Sequence, residues 1–143
     1  NAPTLAGRSG ARALKNFNNL VKAALIGWAF TAIDEEARAS AATTPPCVQV
    51  LDVASGRGGD QMKFVQSAGA RRMHLCYSAM DVAEDQVAEA RRRLLQMAEG
   101  RENLRRARLF VGDAGLVAPE DLPPQHVVAV MLALHYFFDC EAS

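Results

Sequence analysis

A chain of 143 residues, 50% of them hydrophobic, can bury one core and is too short for a second domain of ordinary size. The 16 Lys and Arg balance the 16 Asp and Glu, so the formal net charge is +0, which removes overall charge as an argument for a nucleic-acid coat or a polybasic membrane anchor. Any anionic ligand has to be met by local groups. The longest apolar run, Val127 to Leu134, is far short of the roughly 20 residues that span a bilayer. The 3 cysteines, Cys47, Cys76 and Cys140, are an odd number at wide spacing, and the start of the chain lacks a secretory pattern, which together fit a reducing interior compartment.

Residues 1–13 are small and polar and read as a flexible lead, with order expected from about Leu14 and one domain over 14–143. Phe17, Leu20, Val21, Ala24, Leu25 and Trp28 fall at the offsets of one helical face, with Lys15, Asn18, Asn19 and Lys22 on a polar ridge beside it. Ala37 to Pro46 is small and ends in proline, as a linker does. Val48 to Ala54 reads as a strand, Ser55 to Asp60 as a glycine loop, and Met62, Val65 and Ala68 as a helix stopping at Gly69. A second strand over Met73 to Met80 leads to Asp81. Val87, Ala90, Leu94 and Met97 then mark one face of a helix whose first turn carries Glu84 and Asp85, where the dipole favours acids, and whose stop is Gly100. Arg108 to Val111 is a third strand ending at Gly112-Asp113, and Val127 to Leu134 a fourth that runs into His135 and Tyr136.

Strands alternating with helices predict a doubly wound α/β domain with an open, largely parallel sheet, and such sheets bind ligands beyond the carboxyl ends of their strands. The glycine loop, Asp81, Asp113, His135 and Tyr136 all fall at such ends. Residues 54–59 read Ala-Ser-Gly-Arg-Gly-Gly, without the first glycine of a dinucleotide-binding turn, and no Gly-Lys-Ser or Gly-Lys-Thr follows, so neither a nicotinamide cofactor nor a P-loop nucleotide is favoured. An acid after strand two is placed for ribose hydroxyls and one after strand three for an adenine amine. That combination points to S-adenosylmethionine.

Val50-Leu51-Asp52-Val53-Ala54-Ser55-Gly56-Arg57-Gly58-Gly59-Asp60 resembles the V-L-D-L-G-C-G-K-G-G-D motif of eukaryotic messenger-RNA cap (guanine-N7) methyltransferases. Asn16-Phe17-Asn18-Asn19-Leu20-Val21-Lys22 resembles that family's R-N-F-N-N-W-x-K helix, and Ala133-Leu134-His135-Tyr136-Phe137-Phe138 its A-L-H-Y-A-F segment, in the same order along the chain. The resemblance implies a class I, Rossmann-like methyltransferase domain, represented here by its amino-terminal part, that moves a methyl group from S-adenosylmethionine to N7 of the guanosine cap. It also implies the capped 5′ end of mRNA as partner, association with other capping or transcription proteins, a nuclear location and no membrane.

By matching position, the resemblance assigns Lys22, Ala54, Gly56, Asp81, Asp113, Met131 and Tyr136 to the cofactor, and Asn18, Asn19, Arg57, Asp60 and His135 to the cap. Ala54-Ser55 stands where the family has Gly-Cys, Leu20 where it has Trp, Arg57 where it has Lys, and Met131 where it has Gln. No catalytic base is assigned, because guanine N7 carries a free lone pair and the sulfonium methyl is already activated, so alignment suffices. No metal is assigned either, since the His and Cys residues lack paired ligand spacings. Two other readings retain the fold: a small-molecule methyltransferase, and a binding or regulatory remnant without turnover. Arg91-Arg92-Arg93 and Arg105-Arg106 read as a mixed, solvated surface rather than an RNA track.

Overall fold

A computed structural model describes residues 5–41, 43–98, 101–116 and 122–133. The elements run α1 (Leu5–Ala39), β1 (Cys47–Val53), α2 (Gln61–Ala70), β2 (His74–Asp81), α3 (Glu84–Ala98), β3 (Leu104–Val111) and β4 (Val127–Val130). The four strands form one sheet in the order β3-β2-β1-β4, and every neighbouring pair is parallel. This is the sheet of a Rossmann-like α/β domain. The path steps from β1 through β2 to β3 and then returns to the other side of β1, so the strand order reverses between β1 and β4, where open parallel sheets form their ligand crevice.

Alternation along β1 decides which residues face which layer. Val48 and Val50 turn to one side, Leu51 and Val53 to the other. The first side holds the main core, in which Val48, Val50, Leu75, Tyr77, Ala79 and Ala129 of the sheet pack on Ile26 and Phe30 of α1 and on Phe64, Val65 and Ala68 of α2. Because β1-α2-β2 and β2-α3-β3 step the same way across the sheet, right-handed crossovers bring α2 and α3 to the same face. The Gln61 side chain joins them, its Nε2 donating to the Ala90 carbonyl at 3.2 Å. On the opposite side a smaller cluster gathers Leu51, Val53 and Met80 with Phe110, Ala114, Leu122 and Val130.

The first helix departs from expectation in two ways. It starts at Leu5, inside the 1–13 stretch read as a lead, because Leu, Ala and Arg are good helix formers and two glycines do not outweigh them. Its buried face is also a different one. Phe17, Leu20, Leu25 and Trp28 are exposed, Trp28 at 73%, whereas Ile26 and Phe30 are fully buried with Ile33 packed beside them. The buried line 26-30-33 continues through the half-buried Asn18 and Lys22, while Lys15 and Asn19 of the polar ridge are exposed. Arg71 locks this orientation: its guanidinium donates to the Gly27 carbonyl at 3.0 Å, to Thr31 Oγ1 at 2.6 Å and to the Ser67 carbonyl at 3.1 Å.

Other boundaries shift by smaller amounts. Gly69 lies within α2, and the left-handed residue that ends the helix is Arg72 (φ 56°), with the Met73 N–H returning to the Ala68 carbonyl at 3.0 Å. Strand β3 begins at Leu104 rather than Arg108, since an edge strand tolerates charged residues that mask its pattern. Strand β4 stops at Val130, before the expected Leu134, and Leu132 turns left-handed at φ 62°. Among the described residues no helix is long and apolar enough to cross a membrane.

Candidate functional site

The carboxyl ends of the strands open onto a cleft of about 610 Å³ lined by residues that end β1, β2 and β3 and follow β4. Ala54 and Gly56 form its floor after β1, Met80, Asp81 and Val82 its wall after β2, and Gly112 and Asp113 its wall after β3. Met131 and Leu132 come from the segment after β4. Five of the expected cofactor residues, Ala54, Gly56, Asp81, Asp113 and Met131, are thus brought to one concavity by four separate strands. Val82, Gly112, Ala114 and Leu132 also line it, each next to an expected residue, so adjacency was the only sequence signal for them.

The turn after β1 is held open by backbone geometry. Ala54, Gly56 and Gly58 all have positive φ (53°, 53° and 72°), a region that suits glycine and strains alanine. A side chain at Gly58 would also collide with the buried Gln61 amide. Asp81 braces this turn from across the sheet: Gly56 N–H donates to its Oδ2 at 2.8 Å, and Ala83 N–H to its Oδ1 at 3.0 Å. Each carboxylate oxygen has a further lone pair, so Asp81 keeps acceptor capacity toward the cleft. Asp113 behaves similarly, its Oδ1 accepting from Gly115 N–H at 2.8 Å while the residue lines the cleft.

A second, shallower cleft of about 380 Å³ is lined by Lys15, Asn18, Asn19 and Lys22 of α1 together with Leu132. Leu132 belongs to both concavities, so the two adjoin. Lys22 faces this second cleft rather than the first, and its ammonium pairs with Asp60 Oδ2 at 2.7 Å. Lys63, which the motif reading passed over although it follows Asp60 at helical spacing, holds the other oxygen of the same carboxylate at 2.7 Å. Asp60 is therefore a buried junction between α1 and α2, and it caps α2 through its backbone carbonyl without a side-chain cap bond. Arg57 is exposed and lines neither cleft. His135 and Tyr136 lie outside the described residues.

Beneath the glycine turn, Tyr77 donates its hydroxyl to Asp52 Oδ2 at 2.6 Å. Burial pushes the Asp52 carboxyl up to about 6, against the opposing pull of the Tyr77 hydrogen bond, and Asp60 adds to the rise while Lys22 and Lys63 reduce it. Burial beside Asp52 likewise drives the Tyr77 phenol well above its ordinary value. Among the described residues no group of three or more His, Cys, Asp or Glu could hold a metal ion.

Residues 6–143 match the profile of the mRNA (guanine-N(7))-methyltransferase domain. The chain belongs to that family. It is 32% identical over 135 residues to an mRNA cap guanine-N(7) methyltransferase of Caenorhabditis elegans, covering 91% of this chain and 32% of that protein. It is 30% identical over 140 residues to an mRNA cap guanine-N(7) methyltransferase of Drosophila melanogaster, covering 91% of this chain and 30% of that protein. The chain therefore spans about a third of the length of the curated relatives it matches. Among solved structures, it is similar to the plantazolicin methyltransferase BpumL in complex with SAH, with a TM-score of 0.44 and 16% identity over 80% of this chain and 37% of that one. A SAM-dependent methyltransferase from Geobacter sulfurreducens in complex with S-adenosyl-L-homocysteine gives a TM-score of 0.36 and 25% identity, over 64% of this chain and 31% of that one.

Within this guanine-N7 methyltransferase family domain, the left-handed alanine of the turn after β1 stands at the edge of the larger cleft. Ala54, left-handed at φ 53°, occupies the site of the glycine in the motif quoted above, so a methyl group is carried at the point where backbone approaches the cleft.

Proposed function

We propose that this domain binds S-adenosylmethionine in the larger cleft and methylates N7 of the guanosine cap of mRNA presented from the smaller one. The observation that carries the reading is the adjoining of the two clefts at Leu132, with Asp81 and Asp113 on one side and Asn18 and Asn19 on the other, in a chain of the cap guanine-N7 methyltransferase family. The larger cleft fits the cofactor. It has the size of a small-ligand site, apolar walls from Val53, Met80 and Met131, and carboxylates at two strand ends with unused acceptor sites.

When bound, the cofactor supplies an activated methyl group on a sulfonium. The chain's own residues would do the rest. Asp81 accepts from ribose hydroxyls while it holds the Gly56 turn in place, Asp113 meets the adenine amine, and Met131 and Tyr136 close over the ring. Lys22, drawn from its pair with Asp60, faces the carboxylate end. On the acceptor side Asn18, Asn19 and His135 orient the guanine, Asp60 would join them only when Lys22 leaves its pair, and Arg57 lies toward the triphosphate. Guanine N7 needs no proton removed before it attacks, so the contribution of these groups is alignment and exclusion of water rather than acid–base work. Capped mRNA made in the nucleus is the substrate class, with other capping or transcription proteins as its companions.

Calorimetry with S-adenosylhomocysteine, followed by GpppG and GTP in the presence of that product, tests the reading. Binding of the product and a preference for GpppG over GTP are expected. Product binding with no preference for the capped dinucleotide would favour a small-molecule acceptor, and a folded chain that binds none of the three would mark a regulatory remnant.

A further inference from the structure

At the end of the sheet away from the ligand clefts, Cys47 opens β1 and Cys76 lies in β2. The register pairs Cys47 with His74 and Gln49 with Cys76, so the two cysteines are diagonal neighbours on one face of adjacent parallel strands. Their sulfurs are 3.1 Å apart. Cys47 is exposed and Cys76 half-buried, so the pair is open to a small oxidant. Arg106 is the register partner of Cys76 on β3, and Arg105 donates to the His74 ring at 3.2 Å, which surrounds the thiols with positive charge.

We propose that Cys47 and Cys76 form a redox-responsive dithiol that closes to a disulfide and staples the starts of β1 and β2. The sulfurs need approach by only about 1 Å to reach the roughly 2.05 Å bond length. Cys47, the exposed first residue of its strand and preceded by Pro46, is the partner free to move. With a disulfide such as oxidised glutathione, one thiolate attacks a glutathione sulfur and expels a glutathione thiolate. The second cysteine then attacks the mixed disulfide and expels the other. The sum is two protein thiols plus one oxidised glutathione giving one protein disulfide plus two reduced glutathiones. With a hydroperoxide, one thiolate takes the terminal oxygen to become a sulfenic acid, releasing an alcohol or water. The second thiol then displaces water to give the same bond.

Burial and the neighbouring Cys76 thiol push the Cys47 thiol up to about 11, with Arg105 and Arg106 opposing. Cys47 is therefore protonated at neutral pH, which slows its attack on an oxidant. The crosslink joins positions 29 apart and encloses β1, the glycine turn and α2. Loop closure of that size restricts the unfolded chain, so the oxidised form should melt about 5–10 °C higher. Ligand affinity should hardly change, because the staple sits at the opposite ends of the strands from Ala54 and Asp81.

The test uses the full chain and a Cys140→Ser variant, each treated with oxidised glutathione or hydrogen peroxide. Expected are the loss of two hydrogen masses, a Cys47–Cys76 linked peptide, the higher melting temperature and reversal by dithiothreitol. In Cys47→Ser, a glutathione adduct should persist on Cys76 and the melting temperature should not rise. The proposal is overturned if Cys47 and Cys76 remain fully alkylatable, if the linkage forms between chains or to Cys140, or if peroxide carries either sulfur to sulfinic acid without a crosslink. Should Cys140→Ser fail to fold, peptide mapping of the wild-type chain makes the same distinction.

Discussion

Lys22 and Asp60, expected to serve cofactor and cap respectively, are joined in one ion pair at 2.7 Å, and the pair links α1 to the glycine loop. Asp60 holds Lys63 as well, and side-chain exposures of 19%, 17% and 9% for Lys22, Lys63 and Asp60 leave little water to replace a lost partner. Removing the acid strands two ammonium groups, whereas removing one lysine leaves the acid paired. Asp60→Asn should therefore lower unfolding stability by about 1–3 kcal/mol and Lys63→Met by less than about 1 kcal/mol. Urea denaturation measures both, and equal midpoints for wild type and Asp60→Asn would remove the junction role.

Ala54 offers a prediction of opposite sign. Its φ of 53° costs an alanine about 1–2 kcal/mol, while glycine at that position loses roughly 0.5–1 kcal/mol through greater freedom in the unfolded chain. Ala54→Gly should therefore stabilise the domain by about 0.5–1 kcal/mol. It also removes a methyl from the cleft floor, so S-adenosylhomocysteine should bind at least as tightly as to wild type. A lower melting temperature would show that the Ala54 methyl is making contacts that outweigh the strain.

How far these relationships could be read from the chain depends on which forces set them. The glycine loop, Asp81 and Asp113 were legible because a parallel sheet sends every strand end to one edge, whatever the packing beneath. The face of α1 was not. Phe17, Leu20, Leu25 and Trp28 form the more apolar stripe, yet Ile26 and Phe30 are the buried pair, since the Arg71 bonds to Gly27 and Thr31 fix the helix rotation from outside its own sequence. Lys22 is held by the same rotation, so its engagement with Asp60 required knowledge of α2. The solvated reading of the α3 arginines follows from helical spacing, and Glu89 indeed holds Arg92 at 2.8 Å and Arg93 at 2.7 Å. The closeness of Cys47 and Cys76 needed the β1–β2 register, which no local pattern specifies.

The buried acid under the glycine turn makes stability depend on pH in a defined window. Asp52 is raised from 3.8 in the unfolded chain to about 6 in the fold, so the folded state binds the proton more tightly. Its contribution is fully present below 3.8 and is lost as pH rises to about 6, a change of about 3 kcal/mol. Glu89, lowered from 4.5 to about 2 by Arg92 and Arg93, acts in the other direction and loses its contribution as pH falls through that range. Stability of wild type relative to Asp52→Asn should therefore decline between pH 4 and 6 and then level off. Parallel curves across that window would mean that the fold does not raise the Asp52 carboxyl above its unfolded value.

Asp81 tests the site most directly, because the same carboxylate braces the Gly56 turn and faces the cleft. Gly56 and Ala83 N–H groups each occupy one of its oxygens, at 2.8 and 3.0 Å, and leave the remaining lone pairs for a ligand. Hydrogen bonds to a charged group contribute about 1.5–3 kcal/mol each. Losing two ribose contacts should then weaken S-adenosylhomocysteine on the order of 100-fold or more in Asp81→Ala. The loosened turn would weaken binding as well, so Gly56 geometry has to be separated from direct contact. Asp81→Asn does this, since its amide oxygen can still accept from Gly56 N–H, at the cost of the Ala83 N–H contact, while the charge is lost. An Asn variant with wild-type melting temperature and at least tenfold weaker binding assigns the carboxylate to the ligand. A stable Asn variant that binds as tightly as wild type would reduce Asp81 to a brace for the turn.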